Sequence, residues 1–326
     1  MKLGKDIDQN SIGTEPVMEA NRVGYGEGLL AAGEADSRVV ALSADLTGST
    51  KTADFAEAFP ERFIQVGVAE QNMASVASGM AAMGKIPFIA SYAMFSPGRS
   101  WEQVRTTIAY NESNVKIIGA HAGVSVGPDG ATHQAIEDIA IMRVIPGMVV
   151  LSPCDVHEAR KMTRFAAEYD GPVYMRLARE KTPVVTTEKS EFVFGKLLPV
   201  VESEDSEVSL VVTGTLTHEA VKAAALLEAE GVSVRVHHMG TIKPLDENGL
   251  KELAAKSKVI VTLEEHQVAG GMGSAVAEYL AEVSPLKVVR IGINDAFGQS
   301  GDPEQIIAEY GLDAASVANV IRSAIE

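Results

Sequence analysis

Residues 62–84 read RFIQVGVAEQNMASVASGMAAMG, and the change of character inside this stretch decides the fold class. Phe63, Ile64, Val66 and Val68 are aromatic or β-branched and predict a mostly buried strand over 63–68. Gly67 and Ala69 thin the run, and Glu70 then precedes a helix lined with Ala74, Ser75, Ala77, Ser78, Gly79, Ala81 and Ala82. A helix with so little bulk packs backbone close to backbone. Glu70 itself has two readings: a first-turn carboxylate that complements the helix dipole, worth ~0.3–1 kcal/mol, or a buried proton-transfer group.

The same strand-then-helix alternation extends in both directions. N-terminal to it lie a polar arm (1–16) expected to be mobile or to rest on a neighbour, a helix over 17–34 with Gly24, Gly26 and Gly28 on one face, and a strand, VVALSADL, over 39–46. C-terminal to it come strand and loop IPFIASYAMF, helix WEQVRTTIAY, strand VKIIGA (115–120), helix AIEDIAIMRVI, strand MVVLSP, a helix over 155–168 and strand PVYMRLA. Such alternation predicts an α/β fold with a mainly parallel sheet, in which ligands sit beyond the carboxyl ends of the strands. Periodicity fades after Glu180, through Pro183, Pro199 and the run ESEDSE, which reads as a linker over 181–206. From 207 a second, smaller α/β domain begins and runs to 326.

A chain of 326 residues accommodates two such domains at roughly 150 residues each. The formal net charge of −16 gives no basic footprint for nucleic acid or an anionic membrane surface, so cations for an anionic ligand must come from a local pocket. Lys85 and Pro87 break the one greasy run, 73–95, which argues against a membrane span. The opening MKLGKDIDQN lacks the apolar segment of a signal peptide. A single cysteine, Cys154, allows no internal disulfide, argues against a Cys-based metal site and points to a reducing, cytoplasmic setting.

Candidate functional residues gather at the predicted strand ends. The loop from His121 to His133 holds Asp129 between Gly127, Pro128 and Gly130, and it reads either as a ligand loop or as a surface turn. Arg22, Ser49 with Thr47 and Thr50, and Arg179 come from three separate turns; brought together they would clamp a phosphate, and taken singly each arginine reads as a surface ion-pair partner. Tyr92 and Phe95 suit stacking on a heterocycle, whereas Trp101 reads as core. The glycines of EEHQVAGGMGSA do not complete a nucleotide-binding fingerprint, since Val276 stands where its last glycine belongs.

In order along the chain, SADLTGS (43–49), VGVAEQNMASVASGMA (66–81), SYAMFSPGRSWEQVR (91–105), VGPDGATHQAIED (126–138), YMRLARE (174–180) and TLEEHQVAGGMGSA (262–275) resemble the C-terminal half of a transketolase, in its form as a separate subunit of a split-gene enzyme. The resemblance implies thiamine diphosphate as cofactor, with Glu70 on the aminopyrimidine N1′, Tyr92 and Phe95 around that ring, and Asp45 on the cofactor side. It implies that Arg22, Ser49, His121 and Arg179 hold a sugar phosphate, and that Asp129 and His133 contact substrate hydroxyls, with Glu70, His133 and His121 as the catalytic set. Gly98 occupies the register of a third pocket aromatic. The family's GDG motif for the diphosphate and its Mg²⁺ or Ca²⁺ is not found, so the metal is expected on an N-terminal partner subunit, most simply in a two-plus-two heterotetramer of the pentose phosphate pathway. Alternatives are a deoxyxylulose-phosphate synthase-like subunit, which usually has a second histidine where this chain reads Thr132, His133 and Gln134, a 2-oxoacid dehydrogenase beta-like subunit, and a non-catalytic regulatory homologue.

Overall fold

The computed structural model describes residues 1–11 and 16–326. Up to residue 183 the chain runs through β1 (Lys2–Leu3), β2 (Met18–Glu19), α1 (Asn21–Ala35), β3 (Val39–Ser43), α2 (Ala53–Ala58), β4 (Phe63–Gln65), α3 (Glu70–Ala82), β5 (Ile86–Tyr92), α4 (Trp101–Gln103), β6 (Lys116–Ala120), α5 (Asp138–Arg143), β7 (Val149–Leu151), α6 (Val156–Glu168), β8 (Val173–Arg176) and β9 (Thr182–Pro183), all but β1 belonging to the first domain. The second follows with β10 (Leu198–Glu202), β11 (Val208–Val212), α7 (Thr217–Ala229), β12 (Arg235–His238), β13 (Thr241–Lys243), α8 (Glu247–Ala255), β14 (Val259–Gln267), α9 (Met272–Val283), β15 (Lys287–Ile293), α10 (Pro303–Glu309) and α11 (Ala314–Ile325). It is the α/β pattern read from the sequence, with parallel sheets in both halves.

The first sheet has the order β13-β7-β8-β6-β5-β3-β4, and β7 through β4 are parallel throughout. All its parallel strands therefore end on one edge, so the loops after β3, β4, β5, β6 and β8 share a face. The second sheet has the order β1-β10-β12-β11-β14-β15, parallel from β12 to β15. The domains are interlocked: β13 leaves the second domain and pairs antiparallel with β7, Thr241 opposite Leu151. One apolar cluster runs continuously from Leu42, Ile89 and Ile117 to Val211, Ile260 and Leu280.

Several expectations need correction. The strand expected over 63–68 is only Phe63–Gln65, and it lies at the sheet edge, half exposed, with Val68 69% exposed. Its apolar residues are there, but no neighbouring strand of this chain covers their outer side. The start of the arm is held by its own chain, where Lys2 and Leu3 pair with Glu202 and Val201; part of that expected segment, residues 12–15, lies outside the described residues. The linker expected over 181–206 contains β10, which joins the second sheet beside β12. Helix α1 starts at Asn21 rather than at 17, and WEQVRTTIAY continues from α4 as a π-helix over Val104–Ala109. Helices α1 and α6 approach so closely that a Cβ on Gly24 would lie 1.9 Å from the Val156 carbonyl oxygen and one on Gly28 2.8 Å from that of Arg160, whereas Gly26 faces the Lys51 carbonyl instead, so the three glycines do not form one face.

Candidate active site

Two tight turns bring the first group of residues to the strand ends. After β3, Asp45 adopts φ 61°, and after β4, Gly67 adopts φ 68°. The Gln65 side chain ties these turns together: its Oε1 accepts from the Asp45 amide at 2.8 Å and the Gly67 amide at 3.1 Å, and its Nε2 donates to Thr47 Oγ1 at 3.2 Å. Thr50 is buried below and bonds to Thr52 at 2.9 Å. Glu70 follows as the first residue of α3 and is 1% exposed. Its partner was not foreseen: Arg99 Nη1 donates to Glu70 Oε2 at 2.8 Å.

The aromatic group is contiguous with that acid. The Arg99 guanidinium lies 5.1 Å from the centre of the Phe95 ring. Phe95 stacks with Tyr92 at 6.1 Å, and its ring meets His133 edge-on at 5.5 Å. Tyr92 in turn stacks on His121, ring centres 3.9 Å apart. Gly98 can carry no side chain, since a Cβ there would lie 2.1 Å from the Met94 carbonyl oxygen; Arg99 covers Phe95 instead of a third aromatic. Trp101 is partly buried against the core and donates from Nε1 to the Ile141 carbonyl at 2.7 Å.

The structure also brings Arg22, Ser49 and Arg179 together. Arg22 donates from Nε to the Arg179 carbonyl at 2.9 Å and from Nη1 to the Ser49 carbonyl at 2.7 Å. Arg179 donates from Nη1 to the Val126 carbonyl at 2.7 Å, in the loop after β6, and pairs with Glu180 at 3.0 Å. Each guanidinium keeps its Nη2 group without a partner among the described residues, and a fork of donors suits a phosphate or carboxylate. His121 is buried at φ 55° with no bond to Nδ1. Burial, reinforced by the charges of Arg22 and Arg179, lowers its imidazole to about 3, so the ring is neutral at pH 7. Asp45 and Asp129 are exposed and their carboxylates make no bond to this cluster, while His133 Nδ1 lies 2.9 Å from Thr132 Oγ1.

A parallel sheet whose strand ends carry a buried carboxylate, stacked rings and paired guanidinium groups, followed by a second α/β domain, has the build of the pyrimidine-binding half of a thiamine-diphosphate enzyme. Comparison with known proteins makes the assignment specific. Residues 19–184 match the family described as Transketolase, pyrimidine binding domain, and residues 199–317 match Transketolase, C-terminal domain. The chain belongs to the transketolase family, as a subunit made of these two domains. It is 47% identical to a protein described as a transketolase C-terminal section from Methanocaldococcus jannaschii, over 94% of this chain and 96% of that one. It is 39% identical to a 6-deoxy-6-sulfo-D-fructose transketolase subunit of Clostridium sp., over 93% of each. Among solved structures, a split gene transketolase described as an inactive beta4 tetramer superposes with a TM-score of 0.87 at 46% identity, over 94% of this chain and 98% of that one. These matches carry the transketolase reading over the synthase and dehydrogenase alternatives. Among the described residues, no helix is long and apolar enough to cross a membrane.

Proposed function

We propose that this chain is the C-terminal subunit of a two-chain transketolase that moves a two-carbon ketol unit from a ketose phosphate to an aldose phosphate. The observation that carries the reading is one continuous set of contacts from Glu70 through Arg99, Phe95, Tyr92 and His121, with Arg22 and Arg179 on the same sheet edge. An acid and an anion clamp are thereby parts of one site.

The residues present fit the aminopyrimidine half of thiamine diphosphate: a buried carboxylate, the faces of Tyr92 and Phe95, and a buried unpartnered His121 Nδ1. When bound, that cofactor supplies a carbon nucleophile able to accept and pass on the two-carbon unit. Glu70 has one oxygen fixed by Arg99 and the other free to share a proton with the ring nitrogen, the part of a general acid–base catalyst. Tyr92 and Phe95 would hold the ring by stacking, and Asp45 would lie on the cofactor side. Arg22, Ser49, His121 and Arg179 would hold the substrate phosphate, while Asp129 and His133 would take substrate hydroxyls. Among the described residues no motif for the diphosphate and its metal stands beside the arginine fork given to the substrate, so Mg²⁺ or Ca²⁺ falls to an N-terminal subunit, in a two-plus-two assembly working in the cytoplasm on pentose phosphates.

That the related split-gene chain is described as inactive when assembled as a beta tetramer supports the need for this partner. The test is to mix purified chain and partner and to measure ketol transfer from xylulose 5-phosphate to ribose 5-phosphate. The chain alone should be inactive and the mixture active. Activity from this chain alone would refute the half-enzyme reading, and inactivity after verified assembly would favour the non-catalytic homologue.

A further inference from the structure

Where the two domains meet, and separate from the residues assigned above, Cys154, Glu158 and His238 bring ligand atoms within 4.8 Å of one another, all three residues buried. Cys154 and Glu158 belong to the first domain and His238, at the end of β12, to the second. His238 Nε2 lies 2.8 Å from Glu158 Oε2, and its Nδ1 lies 3.1 Å from Thr217 Oγ1. The Thr217 hydroxyl donates its only hydrogen to the Gly214 carbonyl at 2.7 Å. Towards His238 it can therefore only accept, which puts a hydrogen on Nδ1 and leaves Nε2 as the nitrogen presented to the carboxylate. An imidazole with one N–H fixed by an outer acceptor and the other nitrogen offered inward is the arrangement proteins use to ligate metals.

The cluster is also reachable. Glu158 Oε1 accepts no hydrogen bond among the described residues, and residue 240 is glycine where a side chain would crowd the cluster: a Cβ there would lie 2.6 Å from Met162 Cε, 2.8 Å from Glu158 Oε1 and 3.0 Å from His238 Nε2. Glu158 and Gly240 line a cavity of about 210 Å³ together with Lys5, Asp6 and Pro199. An ion thus has an approach to the cluster on its Glu158 side. The buried carboxylates of Asp155 and Glu158 attract a dication.

We propose that Cys154, Glu158 and His238 bind a zinc ion, with water as fourth ligand, which staples the two domains together. One thiolate, one imidazole and one carboxylate suit zinc among the common divalent ions. Binding releases two protons, one from the thiol and one shared between His238 and Glu158, and involves no change of oxidation state. A single cysteine counts against a Cys-based metal site on sequence alone, but folding brings Cys154 to an imidazole and a carboxylate.

The experiment uses the full-length chain, stripped with a chelator and titrated with zinc chloride against a chromophoric competitor, with bound metal counted by mass spectrometry. One zinc per chain is expected, together with a zinc-dependent rise in Tm. Cys154→Ser and His238→Asn should each weaken binding by more than the roughly 10- to 100-fold lost with an outer partner, and Thr217→Val should fall within that range. Should either ligand variant fail to fold, cobalt substitution in the wild-type chain reads the site directly, through a sulfur-to-metal charge-transfer band. Absence of stoichiometric zinc, unchanged affinity in the folded ligand variants, or a cobalt spectrum without that band would each overturn the assignment.

Discussion

Glu70 sits 1% exposed with one oxygen held by Arg99, so replacing it removes a proton-sharing group while preserving size. Glu70→Gln should leave the assembled enzyme folded and lower kcat by ~10²–10⁴; near-normal turnover with cofactor bound would remove Glu70 from the mechanism. At the other end of the cluster, Arg179→Ala loses a charge-assisted donor worth ~1.5–3 kcal/mol. KM should rise for phosphorylated sugars and hardly change for unphosphorylated ones, and equal effects on both would make Arg179 structural. His121 carries a pH dependence whose sign follows from its depressed titration, from the usual 6.5 to about 3. The unfolded chain takes up this proton first, so the contribution to stability is complete above pH 6.5 and is lost as pH falls towards 3. Urea midpoints between pH 6.5 and about 5, above most carboxylate titration, should fall in the wild-type chain and stay flatter in His121→Asn. The sequence made Glu70, the aromatics and the arginines legible because each follows a strand-like run. It could not show Arg99 reaching back to Glu70, because Gly98 and Pro97 hide which way the next side chain turns. Nor could it show that Gln65 joins two turns.

Two glycines in α-helices separate local propensity from packing. Gly79 is on the outer face of α3 with nothing within 4 Å of an added Cβ. Gly79→Ala should therefore stabilise the isolated chain by ~0.8–1 kcal/mol in denaturant unfolding. Gly24 faces the Val156 carbonyl across the α1–α6 contact, and Gly24→Ala should cost ~1–3 kcal/mol through overpacking. Effects of equal sign would mean that the two helices are not packed as described. The outer face of α3 also exposes Val76, and Met83 just past its end is 84% exposed; Gly79→Arg, harmless to the single chain, should then block assembly with the partner in analytical ultracentrifugation. Small residues made close packing readable in the sequence, but not whether the helix packs on its own chain or leaves a face for another. The exposure of β4 was hidden for the same reason: an apolar strand at a sheet edge reads like one at its centre.

At the scale of the molecule, the alternation of strands and helices was enough to read two parallel α/β domains, whereas their interlocking was not. Strand β13 is three residues long, too short to stand out as a strand, and its partner β7 lies far back in the sequence. With a shared strand and a shared apolar cluster, the two domains should unfold in a single transition, with calorimetric and van't Hoff enthalpies equal. Two resolved transitions would contradict the continuity of the core. The borrowed strand also bears on how the protein is made. Leu151 leaves the ribosome about ninety residues before Thr241, its partner across the β7–β13 pair, and at ~5–20 residues per second that is a wait on the order of ten seconds. During that interval β7 is an unpaired edge on a nascent chain, open to pairing with the wrong strand. Slow codons or a pause between the two domains would lengthen this exposure, so nascent chains stalled short of residue 241 should be bound by chaperones more than those stalled beyond residue 243.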